Sequence, residues 1–129
     1  MAKLFLLLAL LLLPAHTFAA DAAPKRAAIA RHWHGKVPTA RAAEYEVYLT
    51  EAIKKFPSIK GNLGYQMMKE TAGEVTHFSV ISYWESREAI HAYAGDDISR
   101  VRALPRDPEF LIEPEANVHN YELAVDARK

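Results

Sequence analysis

His32 and His34 are the first place in this sequence where chemistry could gather. In an extended segment, residues two apart share a face, so the two imidazoles point the same way. Imidazole has an ordinary pKa of about 6.5, which suits it to take and return protons near neutrality. Two such rings could also share a metal if a neighbouring strand supplied a third ligand. With His16 assigned to a leader segment, His77, His91 and His119 remain, and none sits at a helical His-x-x-x-His spacing or in a carboxylate–histidine set. No metal is therefore expected, and the bland role for these rings is hydrogen bonding at an interface or a pocket wall.

The run from Val75 to Trp84 is the second candidate. Alternation puts Phe78, Val80, Ser82 and Trp84 on one face and His77, Ser79, Ile81 and Tyr83 on the other. The first set is either the wall of a cleft or plain core, and the large apolar area of a tryptophan favours core packing at Trp84. Other chemistries lack their residues. The chain has no Cys, hence no thiolate nucleophile, disulfide or thiolate metal site. It has no Gly-x-Ser-x-Gly turn, and Gly61-Asn62-Leu63-Gly64 lacks the Lys-Ser/Thr and strand-to-helix setting of a phosphate loop. Flavin and nicotinamide lose their usual footprints, and no cofactor is called for.

These residues need elements to hold them. Alternation from Ala28 to His34 predicts a strand ended by Gly35 and Pro38. Thr39 is expected to cap a helix carrying Tyr45, Leu49, Ala52, Ile53 and Phe56 at helical spacing, stopped by Pro57. Tyr65 to Lys69 alternates again, and the turn Thr71-Ala72-Gly73-Glu74 joins it to Val75–Trp84 as a hairpin. Ser86 is placed to cap a second helix through Ala89, Ile90 and Tyr93, terminated by Gly95. Asp96 or Asp97 is expected to start a further helical turn through Ile98, Val101 and Leu104. Pro105, Pro108 and Pro114 then predict an extended loop, and Val118 to Val125 a last strand. The order β-α-β-β-α-β predicts an α+β, ferredoxin-like fold: a four-stranded antiparallel sheet with helices on one face. The bare face of so small a sheet is most simply covered by a second copy, as a homodimer.

Ahead of the domain, Lys3 precedes the apolar run Leu4 to Leu13, which ends at Pro14 before the small residues Ala19-Ala20. This is the anatomy of a secretory signal, too short for a membrane span of about 20 residues. Residues 1–20 are read as that signal, 21–27 as a flexible lead-in and 28–125 as one domain, so a periplasmic or secreted protein without stable membrane insertion is expected. The 16 basic and 16 acidic residues balance, so bulk charge invites neither nucleic acid nor anionic lipid.

Three stretches carry a family resemblance: Ile29-Ala30-Arg31-His32-Trp33-His34-Gly35, Pro57 to Gly64, and Ser82-Tyr83-Trp84-Glu85-Ser86-Arg87-Glu88-Ala89-Ile90. With Ala94 to Ile98 and Pro105 to Leu111, they make the chain resemble antibiotic biosynthesis monooxygenase domains of the dimeric α/β-barrel superfamily, over about Ala28 to Val125. The resemblance implies oxygenation of a quinol or other small aromatic by O₂ without metal or flavin. It implies a base among His32, His34 and His77, with His32, His34 and Trp84 as catalytic candidates and Phe78, Val80, Ser82, His77 and His91 as substrate contacts. One branch of the family degrades haem using a first-strand Asn, this Trp and a second-helix His. Here His32 stands near the Asn position, and His91 lies a turn early. The alternative is a module of the same fold that binds a hydrophobic ligand or haem without turning it over. A third is an envelope protein whose sheet is wholly used by dimerisation.

Overall fold

A computed structural model describes residues 26–129; the apolar leader and residues 21–25 of the lead-in lie outside them. The chain runs β1 (Ile29–Pro38), a 3-10 turn at Thr39–Arg41, α1 (Ala42–Ile53), a second 3-10 turn at Phe56–Ser58, then β2 (Asn62–Ala72) and β3 (Val75–Trp84). It continues through α2 (Arg87–Ala94), α3 (Asp107–Phe110) and β4 (His119–Glu122). The four strands form one antiparallel sheet in the order β2-β3-β1-β4, the α+β ferredoxin-like arrangement.

The register of β1 against β3 fixes what each sheet face carries. Ile29 pairs with Trp84, Trp33 with Val80 and Val37 with Thr76, so the odd residues of β1 and the even residues of β3 share the helix-covered face. On α1, Tyr45, Leu49 and Ile53 recur every four residues and are buried on that face with Val37, Phe56, Phe78, Val80 and Phe110. Edge-to-face contact of Tyr45 with Phe78, centroids 5.4 Å apart, locks helix to sheet. A second cluster joins Ile29, Trp84 and Ile90 under α2, whose N-terminus is capped as expected: Ser86 Oγ accepts from the Ala89 N–H at 3.2 Å.

Several boundaries differ from expectation. β1 does not stop at Gly35: Gly35 pairs with Phe78 and the ladder continues to Pro38, because a proline is tolerated at a strand end. Thr39 caps no helix; its hydroxyl donates to Gly73 O at 2.9 Å and bonds Thr76 Oγ1, tying the end of β1 to the β2–β3 turn, and α1 starts at Ala42. The helical turn expected after Asp96 is cut to a single hydrogen-bonded turn, in which Asp97 O accepts from the Arg100 N–H at 3.3 Å and Asp97 Oδ1 from the Ser99 N–H at 3.0 Å; Arg31 binds the Ile98 and Arg100 carbonyls that would extend it toward Leu104. The segment expected to be wholly extended contains α3, compatible with its prolines because Pro108 sits in the first turn, where no intrahelical N–H is needed. β4 is shorter than its sequence pattern.

Gly35 has a packing reason for being small. A Cβ there would lie 2.5 Å from Trp33 Cη2 and 3.0 Å from Leu111 Cδ2. Gly35→Ala is therefore expected to push the Trp33 indole outward and to cost about 1–3 kcal/mol, the usual penalty of overpacking. A lowered urea midpoint with red-shifted tryptophan emission is the expected observation; an unchanged midpoint would contradict it.

Candidate functional site

Beyond His119, β1 loses its β4 neighbour, and the segment from Arg100 to Ala116 crosses the exposed stretch of its edge, held by the Ile112 N–H on Lys36 O at 2.8 Å. Beneath that segment lies a cavity of about 350 Å³, lined among others by Trp33, His34, Arg100, Leu111 and Glu115. Its size falls in the range of small-molecule pockets.

His34 is the titratable ring in this wall. Its Nδ1 lies 3.0 Å from Glu115 Oε2 and its Nε2 2.9 Å from His77 Nδ1, with the two imidazoles stacked at 5.2 Å. A carboxylate at Nδ1 selects the tautomer that donates from Nδ1 and leaves Nε2 as the basic nitrogen. His77 then donates to that nitrogen, so a ligand hydroxyl must displace His77 to reach it. Glu115 fixes that tautomer and the orientation of the ring, the role a carboxylate plays behind a general-base histidine.

The expected site residues do not all converge. His32, His34 and His77 lie on the open sheet face, whereas Phe78, Val80, Ser82 and Trp84 lie on the helix-covered face. His34 reaches the cavity only because the sheet edge is free beside it. Trp84 is fully buried, stacked on Tyr93 with centroids 5.8 Å apart, and its indole N–H donates to Ser82 Oγ at 2.8 Å; it does not line this cavity. The tryptophan that does share a cavity with a histidine is Trp33. Phe78 is core, and Val80 and Ser82 border a smaller, inner cavity. His91 is exposed on α2 with Nδ1 2.9 Å from Gly95 O. His32, the residue near the haem branch's Asn position, points away from the helix layer.

His32 nonetheless has an unusual setting. Its Nε2 is buried without a hydrogen-bond partner among the described residues. Burial, then the neighbouring His34 and His119, hold its pKa below the ordinary value, against a smaller opposing pull from Glu115. As pH falls through about 6.5 the unfolded chain protonates His32 while the folded chain resists. Within that window the unfolded state binds more protons, so the His32 contribution to stability is intact above it and lost as pH drops. Urea midpoints should fall on acidification below neutrality, and His32→Gln should flatten that fall. Identical pH slopes in the two proteins would contradict this account.

Arg31, Trp33, Tyr93 and Arg102 were missed by sequence reasoning as site residues. The signal was present for Arg31: a charge between Ile29 and Trp33 in the register that faces the core. Among the described residues, no group of three or more His, Asp or Glu side chains gathers as a metal site.

The family model described as "Antibiotic biosynthesis monooxygenase" matches residues 29–100, more than half of the chain. Among curated proteins none matches. A protein of unknown function from Nitrosomonas europaea has a similar structure, with TM-score 0.60 and 15% identity over 81% of this chain and 97% of that one. So does a candidate antibiotic biosynthesis monooxygenase from Bacillus cereus, with TM-score 0.58 and 11% identity over 81% and 100%. The heme-degrading protein Rv3592 from Mycobacterium tuberculosis is similar with TM-score 0.54 and 23% identity over 78% and 98%. At these identities the likeness is one of fold.

Proposed function

Because the chain belongs to the antibiotic biosynthesis monooxygenase family, we propose that it is an oxygenase of a small aromatic or quinol that works without a bound cofactor. The observation that carries this reading is the cavity of about 350 Å³ shared by Trp33 and His34, with His34 Nδ1 backed by Glu115. A hydroxyaromatic lying against Trp33 would give its proton to His34 Nε2. The anion so formed is electron-rich enough to reduce O₂ directly. For a substrate RH₂ the balance is RH₂ + O₂ → RO + H₂O: the substrate loses four electrons, one oxygen atom enters it and the other leaves as water. No separate reductant is needed.

The cavity lies at the low end of ligand-pocket sizes, which favours one or two rings over a macrocycle. Haem binding without turnover is the alternative, motivated by the similarity to a heme-degrading protein. Oxygen uptake by chelator-treated protein across quinols, hydroxylated aromatics and haem with reductant separates the two. Uptake with a quinol supports the oxygenase; haem binding with no uptake from any compound replaces it.

The open sheet face carries Ala30, Ile81 and Tyr83 beside the histidines, partly covered by Leu123 and by Arg128, whose guanidinium lies 3.4 Å from the Tyr83 ring centroid. A second copy is the proposed cover for the remainder, and sedimentation of the purified domain tests it. Leu4 to Leu13 is the proposed export signal, tested by fractionating cells that express the whole chain. Among the described residues no helix is long and apolar enough to cross a membrane.

A further inference from the structure

Arg31 is a cation inside the protein with no anion beside it among the described residues. It is 5% exposed, and its guanidinium donates to the carbonyl oxygens of Ile98 and Arg100 (3.0 Å for Arg100) and to Asn120 Oδ1 at 3.2 Å. All three acceptors are neutral, and no carboxylate of the described residues forms an ion pair with it. Burying an unpaired charge is costly, and a guanidinium has five N–H donors to satisfy.

Arg31 borders the inner cavity, whose lining Trp33 shares with the larger one. Tyr45, Leu49, Ile53, Phe56 and Val80 make that cavity's apolar end, and Ser82, Tyr93 and Arg102 stand at the Arg31 end. Arg102 is the one exposed residue of the lining and therefore marks the mouth. It donates to Tyr93 O at 2.7 Å with its guanidinium 5.3 Å from the Tyr93 ring centroid. The single acid in the lining is Asp107, and both of its oxygens are committed: Oδ1 accepts from the Tyr45 hydroxyl at 3.0 Å and Oδ2 from the Leu104 N–H at 2.8 Å. An anion entering here passes one cation at the mouth and meets a second, buried one inside.

We propose that this inner cavity is an anion-recognition site in which Arg31 binds the ionised oxygen of an aromatic ligand, a carboxylate or a phenolate, with Arg102 drawing it in. The open space is about 60 Å³, room for a few water-sized groups. That admits a charged head group and not a ring, so the ring lies outward, toward Tyr93 and Arg102. Hydrogen bonds to a buried charge are the strong ones, and discrimination against an uncharged analogue is accordingly large.

The test uses the full domain with two pairs of probes: benzoate against benzamide, and 4-nitrophenol against 4-nitroanisole, titrated by calorimetry and, for nitrophenol, by the absorbance of its anion. Each anion is expected to bind at least about tenfold tighter than its neutral partner. Bound nitrophenol should ionise at lower pH than free nitrophenol. Whichever pair shows the larger ratio identifies the head group. Arg31→Gln should erase the preference, and Arg102→Gln should weaken it and reduce its salt dependence. Arg31 also clamps the segment at Ile98, so Asn120→Ala, which loosens the same clamp without removing charge, is the control and should keep the preference. Equal binding of charged and neutral probes, no binding of either anion, or loss of the preference in Asn120→Ala with its retention in Arg31→Gln would overturn the proposal. Oxygen uptake plays no part in this readout, so an anion site without oxygenase activity, or the reverse, is recognised as such.

Discussion

Trp84→Ala is expected to destabilise the domain by about 3–5 kcal/mol, the range for removing a large aromatic from a core. The side chain is completely buried between Ile29 and Ile90, stacked on Tyr93, and its indole N–H is satisfied by Ser82. Truncation leaves a cavity that the sheet on one side and α2 on the other hold open, and it strands the Ser82 hydroxyl. Chemical denaturation measures the loss. Trp84→Phe restores most of the area and should recover most of the stability, with oxygen uptake at the wild-type level. A Trp84→Phe protein that is stable yet inactive would instead give Trp84 a direct part in the chemistry.

Oxygen uptake in His34→Ala should fall by about 10²–10⁴-fold, the usual contribution of a positioned general base, while the urea midpoint moves little because the ring is partly exposed at a sheet edge. His34 is the one imidazole that touches the larger cavity. Glu115→Gln removes the carboxylate that orients the ring through Nδ1, so a loss of about tenfold is expected. His77→Ala frees Nε2 from its resting partner and should preserve uptake. If His34→Ala turned over normally and His77→Ala did not, the base would be His77, and the cavity reached from the open face.

How much of this was legible beforehand follows from the range of the forces involved. The periods of two in Val75–Trp84 and of four in Tyr45, Leu49 and Ile53 are local, and they gave the strand, the helix and the faces each presents. The Ser86 cap was legible for the same reason: its hydroxyl meets an N–H three residues away. Thr39 failed as a cap because a partner from another element, the Gly73 carbonyl, competed for its hydroxyl. The turn capped by Asp97 forms but goes no further, as Arg31 captures the Ile98 carbonyl from 67 residues away. Nothing in residues 96–104 announces that competition.

The candidate site divides along the same line. Alternation by itself placed His32 and His34 together on one face of β1, and put His77 and Trp84 on opposite faces of β3, because side-chain direction in a strand depends only on residue parity. The resemblance of the Tyr83-Trp84-Glu85-Ser86 region, likewise a property of the chain, pointed to the family. Tertiary structure alone decided which of these residues meet open space. β4 stops at His119, so His34 is free at the sheet edge to turn to the cavity and to Glu115, 81 residues on, while His32 still has β4 beside it. Trp33, lying over a glycine that leaves it room, became the shared wall, and Trp84 was enclosed by α2. The pairing of strands and the seating of one long loop are settled by burial and hydrogen bonding between distant segments, and the sequence pattern of either segment contains only half of each contact.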